Sequence, residues 1–120
     1  NSTEFITSKN ERVRSKSELI IAECLIKNNI LFHYEYPIKI NNAIFYPDFC
    51  CYNINKRKTI FWEHFGMMDN LEYLNKVIEK IKFYQENNFQ IGTDVVFTME
   101  SSSVPISSKQ IEKVINQYFA

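Results

Sequence analysis

The sequence predicts an α/β fold in which a mixed β-sheet is flanked by helices. Three observations carry this. Apolar residues recur at helical spacing in three separate stretches, and three strand-like segments lie in succession between the first two of them. A short apolar run, Asp94–Met99, separates the last two. The order α-β-β-β-α-β-α, an antiparallel meander followed by a helix and another strand, packs as a sheet with helices on its faces, an α/β sandwich.

Each element has its own signal. Residues 1–12 are polar with a basic tendency and read as a short leading strand or a loosely held arm, ahead of a single domain over residues 13–120. Ser15-Lys16-Ser17-Glu18 opens the first helix, with Ser15 as N-cap and Glu18 completing a capping box. Leu19, Ala22 and Ile26 follow at helical spacing, broadened by Ile20, Ile21 and Leu25, until Asn28-Asn29. Leu31–Ile40 alternates Phe32, Tyr34, Tyr36, Ile38 and Ile40 as one strand, in which Pro37 marks an edge or a bulge. Asn41-Asn42 turns the chain into a partner strand, Ala43–Tyr52, and Asn53–Lys58 is a second polar turn. Thr59–Phe65 is β-prone and nearly all apolar, which assigns it to the middle of the sheet; Gly66 closes it. Asp69-Asn70 caps a long helix with an apolar stripe of Leu71, Leu74, Ile78 and Ile81, joined by Val77 and Tyr84. After the short strand, Ser107-Ser108 starts an extra C-terminal helix carrying Ile111, Val114, Ile115 and Tyr118.

Composition narrows the class. At 120 residues, 45% hydrophobic and 15% aromatic, the chain is globular and large enough for one core without staples. Two Gly and three Pro exclude collagen-like and turn-dense designs. The net charge of zero gives no global positive field, so any nucleic-acid contact must come from local patches. Three cysteines, two of them adjacent (Cys50 and Cys51), cannot form a disulfide framework and point to a reduced, cytoplasmic setting. No apolar run is long enough for a membrane span. The opening Asn1-Ser2-Thr3, without Met, suggests excision from a longer protein.

Two carboxylates stand out against this map. Asp48 interrupts the aromatic run Phe45-Tyr46-Pro47-Asp48-Phe49-Cys50, and Glu63 lies between Trp62 and His64 in the most hydrophobic strand. A carboxylate there is expensive unless it is paired or bound to a cation. With a tight turn near residues 54–57, Asp48 and Glu63 come level on adjacent strands, an oxygen-rich pair suited to Mg2+ or Mn2+. The same pattern also fits two surface carboxylates on a half-exposed sheet, each paired with Lys or Arg.

The blocks Arg14-Ser15-Lys16-Ser17-Glu18, Tyr34-Glu35-Tyr36-Pro37, Tyr46-Pro47-Asp48-Phe49 and Trp62-Glu63-His64-Phe65-Gly66-Met67-Met68-Asp69 together resemble the PD-(D/E)xK nuclease superfamily. The similarity is to a bacterial and phage subgroup with a Glu-His-(Phe/Leu)-Gly-Met signature; Lys80-Ile81-x-x-Tyr84 and Phe97-Thr98-Met99-Glu100 extend it over roughly residues 13–119. The resemblance implies a restriction-endonuclease-like α-β-β-β-α-β core and a metal-dependent DNA hydrolase. By the same resemblance Asp48 and Glu63 would be metal ligands, with the His64 backbone carbonyl as a further one. Glu18 would be the acidic helix residue that acts directly or through a metal-bound water.

One departure matters. The family lysine belongs two residues after Glu63, where this chain has Phe65, on the same strand face as Glu63. Either the lysine has moved to another element or catalysis has gone with it. Lys80 on the second long helix is the leading replacement, with Lys76 and Lys16 as alternatives. His64 should point to the opposite face from Glu63 and pack there, unless a bulge turns it toward the metal; His33 reads as a surface strand residue. Zinc is disfavoured by the absence of Cys-x-x-Cys and His-x-x-x-His, and no Gly-rich loop exists to cradle a nucleotide.

Arg12, Arg14 and Lys16 before the first helix, and Lys56-Arg57-Lys58 at a hairpin tip, are the candidate phosphate contacts. The expectation is therefore a Mg2+- or Mn2+-dependent nuclease module of a larger DNA-processing protein. Its alternative is an inactive nuclease-like fold that binds DNA or protein, and an RNA-directed enzyme is a third reading.

Overall fold

The structure, a computed structural model, describes residues 4–120. The chain runs β1 (Phe5–Ile6), β2 (Arg12–Val13), α1 (Lys16–Lys27), β3 (Leu31–Tyr34), β4 (Ile38–Ile40), β5 (Ala43–Phe45), β6 (Phe49–Asn53), β7 (Lys58–Phe65), α2 (Leu71–Glu86), β8 (Val95–Met99) and α3 (Ser108–Tyr118). This is an α/β fold with a mixed sheet in the order β3-β6-β7-β8. Three pairings build it: β3 with β6 and β6 with β7 antiparallel, β7 with β8 parallel. As the sequence suggests, β7 is an interior strand.

Side-chain alternation along β7 divides the molecule into layers. Ile60 and Trp62 face α1 and α3, in a core with Ile21, Leu25, Phe49, Cys51, Val96, Ile111 and Ile115. Trp62 stacks on Phe119 with ring centroids 6.1 Å apart. Phe61 faces the other way, toward Tyr84 of α2, with Val95, Phe45 and Phe97. Caps hold the helices as their residue types predict: Ser15 accepts from the Glu18 amide, Asn70 from Tyr73, and Ser107 forms a full capping box with Gln110.

Four features differ from the sequence reading. Residues 5–13 form an antiparallel hairpin, β1–β2, docked on α1 where Ser8 donates both amide and hydroxyl to Glu23; residues 1–3 of the expected arm lie outside the described residues. The capping box at Ser15 is only half made, because the Glu18 carboxylate turns away to the Tyr34 hydroxyl and the Arg14 amide.

The strands expected over Leu31–Ile40 and Ala43–Tyr52 are each broken in two. Tyr34 pairs with Phe49 on one side of the break and Ile38 with Phe45 on the other, so three residues on each strand are skipped and none is inserted. It is a bend and not a bulge. Glu35 adopts a left-handed φ of 50°, and Pro37 and Pro47 cannot donate to a ladder. The bend throws the β4–β5 hairpin over α2, where the Phe45 ring lies 4.9 Å from Phe83 and 5.8 Å from Tyr84.

Finally, α2 is turned about its axis relative to its apolar stripe. Val77 and Tyr84 of that stripe are buried and Leu74 and Ile81 half-buried, whereas Leu71 and Ile78 are 81% and 60% exposed. The half-buried Tyr73 and Lys80 take their place on the side facing the sheet. Denaturant unfolding should separate the two kinds of isoleucine: Ile111→Ala, fully buried, is expected to cost about 2–5 kcal/mol. Ile78→Ala should stay within about 0.5 kcal/mol.

Candidate active site

The bend creates the site. Glu63 is level with Asp48, one step beyond the Phe49–Trp62 pair of the β6–β7 ladder. Having left the ladder, Asp48 is wired to β7 through its side chain: the His64 amide donates to Asp48 Oδ2 at 2.7 Å. In return the Asp48 amide donates to Glu63 Oε1 at 3.3 Å. Each acid thus sits against the main chain of the other's strand.

Glu63 is 0% exposed and takes two more donors from α2. Lys80 Nζ lies 2.8 Å from Glu63 Oε1, and the buried Tyr84 hydroxyl donates to Oε2. Lys80 and Tyr84 are four residues apart and so share one helix face. Burial alone would lower the pKa of Lys80, but the Glu63 and Asp48 carboxylates outweigh it and raise the value, keeping the ammonium charged. Asp48 moves the other way for a carboxylate: burial first, then the charge of Glu63, push it from its ordinary 3.8 up to about 7. Glu18 is raised too, mainly by burial and with a contribution from Asp48, against the Tyr34 hydroxyl at 2.7 Å.

Glu18, Asp48 and Lys80 line a cavity of about 320 Å³, bounded also by His64, Phe65, Tyr73, Lys76 and Val77, with Glu63 enclosed behind Lys80. The structure therefore brings together Glu18, Asp48, Glu63 and Lys80, with Lys76 at the rim. Among the described residues, no three His, Cys, Asp or Glu side chains are gathered tightly enough to form a ready-made metal cage. Phe65, two residues after Glu63, is buried against Phe97 with centroids 5.2 Å apart. The His64 ring lies on the far side of the strand, held by Thr98 Oγ1 at Nδ1 (2.8 Å) and by Glu100 at Nε2 (2.6 Å).

The basic residues fall into two groups. Arg14 and Lys16 flank the start of α1, beside Glu18, although the Arg14 guanidinium is engaged by Glu35 at 2.6 Å. Arg12 pairs with Glu4 at 3.0 Å. Lys56, Arg57 and Lys58 are at the other end of β7. Lys58 is bound to Asp94 at 2.7 Å, and five steps along the strand, about 17 Å, separate it from Glu63. They are not brought to the site.

No protein-family model matches the chain, and no solved structure matches it. It is similar to an uncharacterized protein of Methanocaldococcus jannaschii, 31% identical over 124 aligned positions that cover 92% of this chain and 10% of that protein. The chain spans about a tenth of the length of the relative it matches. Among the described residues, no helix is long and apolar enough to cross a membrane.

Three contributors escaped the sequence reading: the Tyr34 hydroxyl on Glu18, Tyr73 on the cavity wall, and Glu100 behind His64. Tyr34 and Tyr73 look like ordinary amphipathic aromatics, and only the partner they meet sets them apart. Glu100 ends the Phe97-Thr98-Met99-Glu100 block, and nothing near it in sequence names its partners.

The raised Asp48 pKa carries a sign for stability. The folded protein keeps a proton that the unfolded chain has shed between about pH 4 and 7, so the penalty is absent below that window, grows through it and is complete above it. Asp48→Asn should abolish this decline and stabilise the metal-free protein at pH 8 by on the order of 3 kcal/mol, read from denaturation midpoints across pH. Tyr84→Phe should cost about 1–3 kcal/mol, since it strips a donor from a buried carboxylate.

Proposed function

We propose that this domain is a metal-dependent nuclease module of PD-(D/E)xK type, hydrolysing DNA phosphodiester bonds with Mg2+ or Mn2+ within a larger DNA-processing protein. The observation that carries the reading is the Lys80 ammonium on Glu63, level with Asp48, in one open cavity. That is where a lysine displaced from the Phe65 position would have to arrive. The 31% identity to one segment of a protein about ten times as long supports a module.

The donor set fits a hard cation. It is all oxygen, and burial and the Glu63 charge push the Asp48 carboxyl up to about 7 despite the opposing charge of Lys80, so a further cation would favour its ionised form. Asp48, Glu63 and the His64 carbonyl would hold the ion, with Glu18 bordering it. A bound Mg2+ or Mn2+ supplies Lewis-acid polarisation of the phosphate and lowers the pKa of a coordinated water.

The remaining work falls to the chain itself. Lys80, kept charged by its carboxylate neighbours, faces the cavity and can stabilise negative charge developing on a phosphate oxygen or orient a water. Tyr84 fixes the second oxygen of Glu63, while the first holds the Lys80 ammonium that borders the cavity. Phe65 and Val77 give the cavity an apolar floor that limits water and strengthens each charge interaction.

Phe65 also supports a second reading, an inactive nuclease-like fold that binds DNA or protein. One experiment separates the two. Mn2+ titration by calorimetry should give binding that Asp48→Ala and Glu63→Ala abolish and Lys80→Ala retains. With Mn2+, supercoiled plasmid and circular single-stranded DNA are the substrates, and Lys80→Ala should slow cleavage by about 10²–10³-fold. Metal binding without cleavage favours the binding module; neither binding nor cleavage removes the nuclease reading.

A further inference from the structure

Behind the site, one carboxylate gathers the sequence neighbours of its acids. Glu100 follows β8 directly, and its main chain is stitched to the end of β7: its amide donates to the Phe65 carbonyl at 2.9 Å and its carbonyl accepts from Met68 at 3.1 Å. Its side chain reaches three other elements. Oε2 accepts from His64 Nε2 at 2.6 Å and from the Ser17 hydroxyl, while Oε1 accepts from the Ile106 amide at 2.9 Å. Side-chain exposure is 2% for His64 and 12% for Glu100, so the imidazole is buried while Glu100 borders the open cavity beside Gly66 and Asp69.

The imidazole between them has no freedom. Thr98 Oγ1 accepts from Trp62 Nε1 at 2.9 Å and lies 2.8 Å from His64 Nδ1. A threonine hydroxyl that accepts from the indole can donate to Nδ1, and the imidazole then donates Nε2–H to Glu100, which satisfies every donor. The ring therefore acts as a rigid strut from the core to Glu100.

Ser17 precedes Glu18, and His64 follows Glu63. The His64 amide, moreover, is the group that holds Asp48. Glu100 touches none of the three acids, yet it ties the first turn of α1, which carries Glu18, to the strand that carries Glu63 and anchors Asp48. Without that tie, nothing among the described hydrogen bonds links Ser17 to β7.

We infer that Glu100 is a positioning residue, which through Ser17 and His64 sets Glu18 at a fixed distance from Asp48 and Glu63. The inference rests on the proposed reading of those acids as a cation site. Groups of this kind, one bond removed from a ligand, commonly alter metal affinity by about 10–100-fold.

The test is calorimetric titration of the whole chain with Mn2+. Glu100→Ala should weaken binding by about 10-fold or more, and Glu100→Gln, which keeps the shape and an acceptor oxygen, should recover most of it. Ser17→Ala should weaken binding as well, and its effect should vanish in a Glu18→Gln background, because the tie then has no carboxylate left to position. A general loss of structure would instead persist in that background. Binding by Glu100→Ala within about twofold of the parent overturns the inference, as does a Ser17→Ala effect that is unchanged with Glu18→Gln. Should the parent bind no Mn2+, the cation-site reading falls, and amide hydrogen exchange decides the positioning claim separately. Protection at Glu18 and His64 must then drop about 10-fold in Glu100→Ala, and unchanged protection overturns it.

Discussion

A carboxylate fully enclosed in the middle of a β-sheet is the constraint around which this domain is organised. Glu63 cannot be carried there uncompensated, since stripping an ionised carboxylate of water costs far more than any single packing contact returns. Its donors come from two separate directions: the Asp48 amide across the ladder, and Lys80 and Tyr84 from the helix above. Satisfying it therefore fixes both how α2 lies on the sheet and where the neighbouring strand must stop. The rotation of α2 away from Leu71 and Ile78 follows from the same need. Turning Leu71 and Ile78 inward would carry Lys80 and Tyr84 away from Glu63, and the polar requirement outweighs the apolar stripe.

The two faces of the sheet divide the labour. The α1–α3 side is filled by Trp62, Phe49, Ile21, Ile111 and their neighbours, and it holds the fold together through apolar burial. The α2 side is shallower, with a cluster centred on Phe61, Tyr84 and Val95, and it spends its centre on charge. Asp48 shows the tension this produces: its elevated pKa means that the folded chain holds an acid in surroundings that disfavour its ionised form. Strain of that kind gathers where a site is kept ready for a charged ligand.

Much of the architecture was legible in the residues. Periodicity located all three helices, the interior position of β7 followed from its unbroken apolar character, and the fifteen-residue interval put Asp48 level with Glu63. What could not be read was three-dimensional in origin. The bend showed only as an edge or a bulge at Pro37, because proline forbids a ladder bond without saying which way the chain then turns. The orientation of α2 was hidden because apolar spacing is silent on a polar debt elsewhere in the fold. Lys80 was legible as a flank residue of the apolar stripe, while Glu100 was not legible as a hub: its three partners lie 6, 36 and 83 positions away.

The bent ribbon has a further consequence for how such a chain can change over time. Because the register is the same on both sides of the bend, with three residues skipped on each strand, the spacers 35–37 and 46–48 are matched in length. Adding or removing one residue in either spacer would rotate every later side chain to the opposite face and lift Asp48 off the His64 amide. The Asn41-Asn42 tip, tied to the fold by the Asn41 side-chain amide on Asn87 at 3.2 Å, can take insertions without moving the register at the bend. Length variation in descendants of this sequence should therefore collect at the tip and be purged from the two spacers, a signature of selection on geometry that acts beside the selection on Asp48 itself.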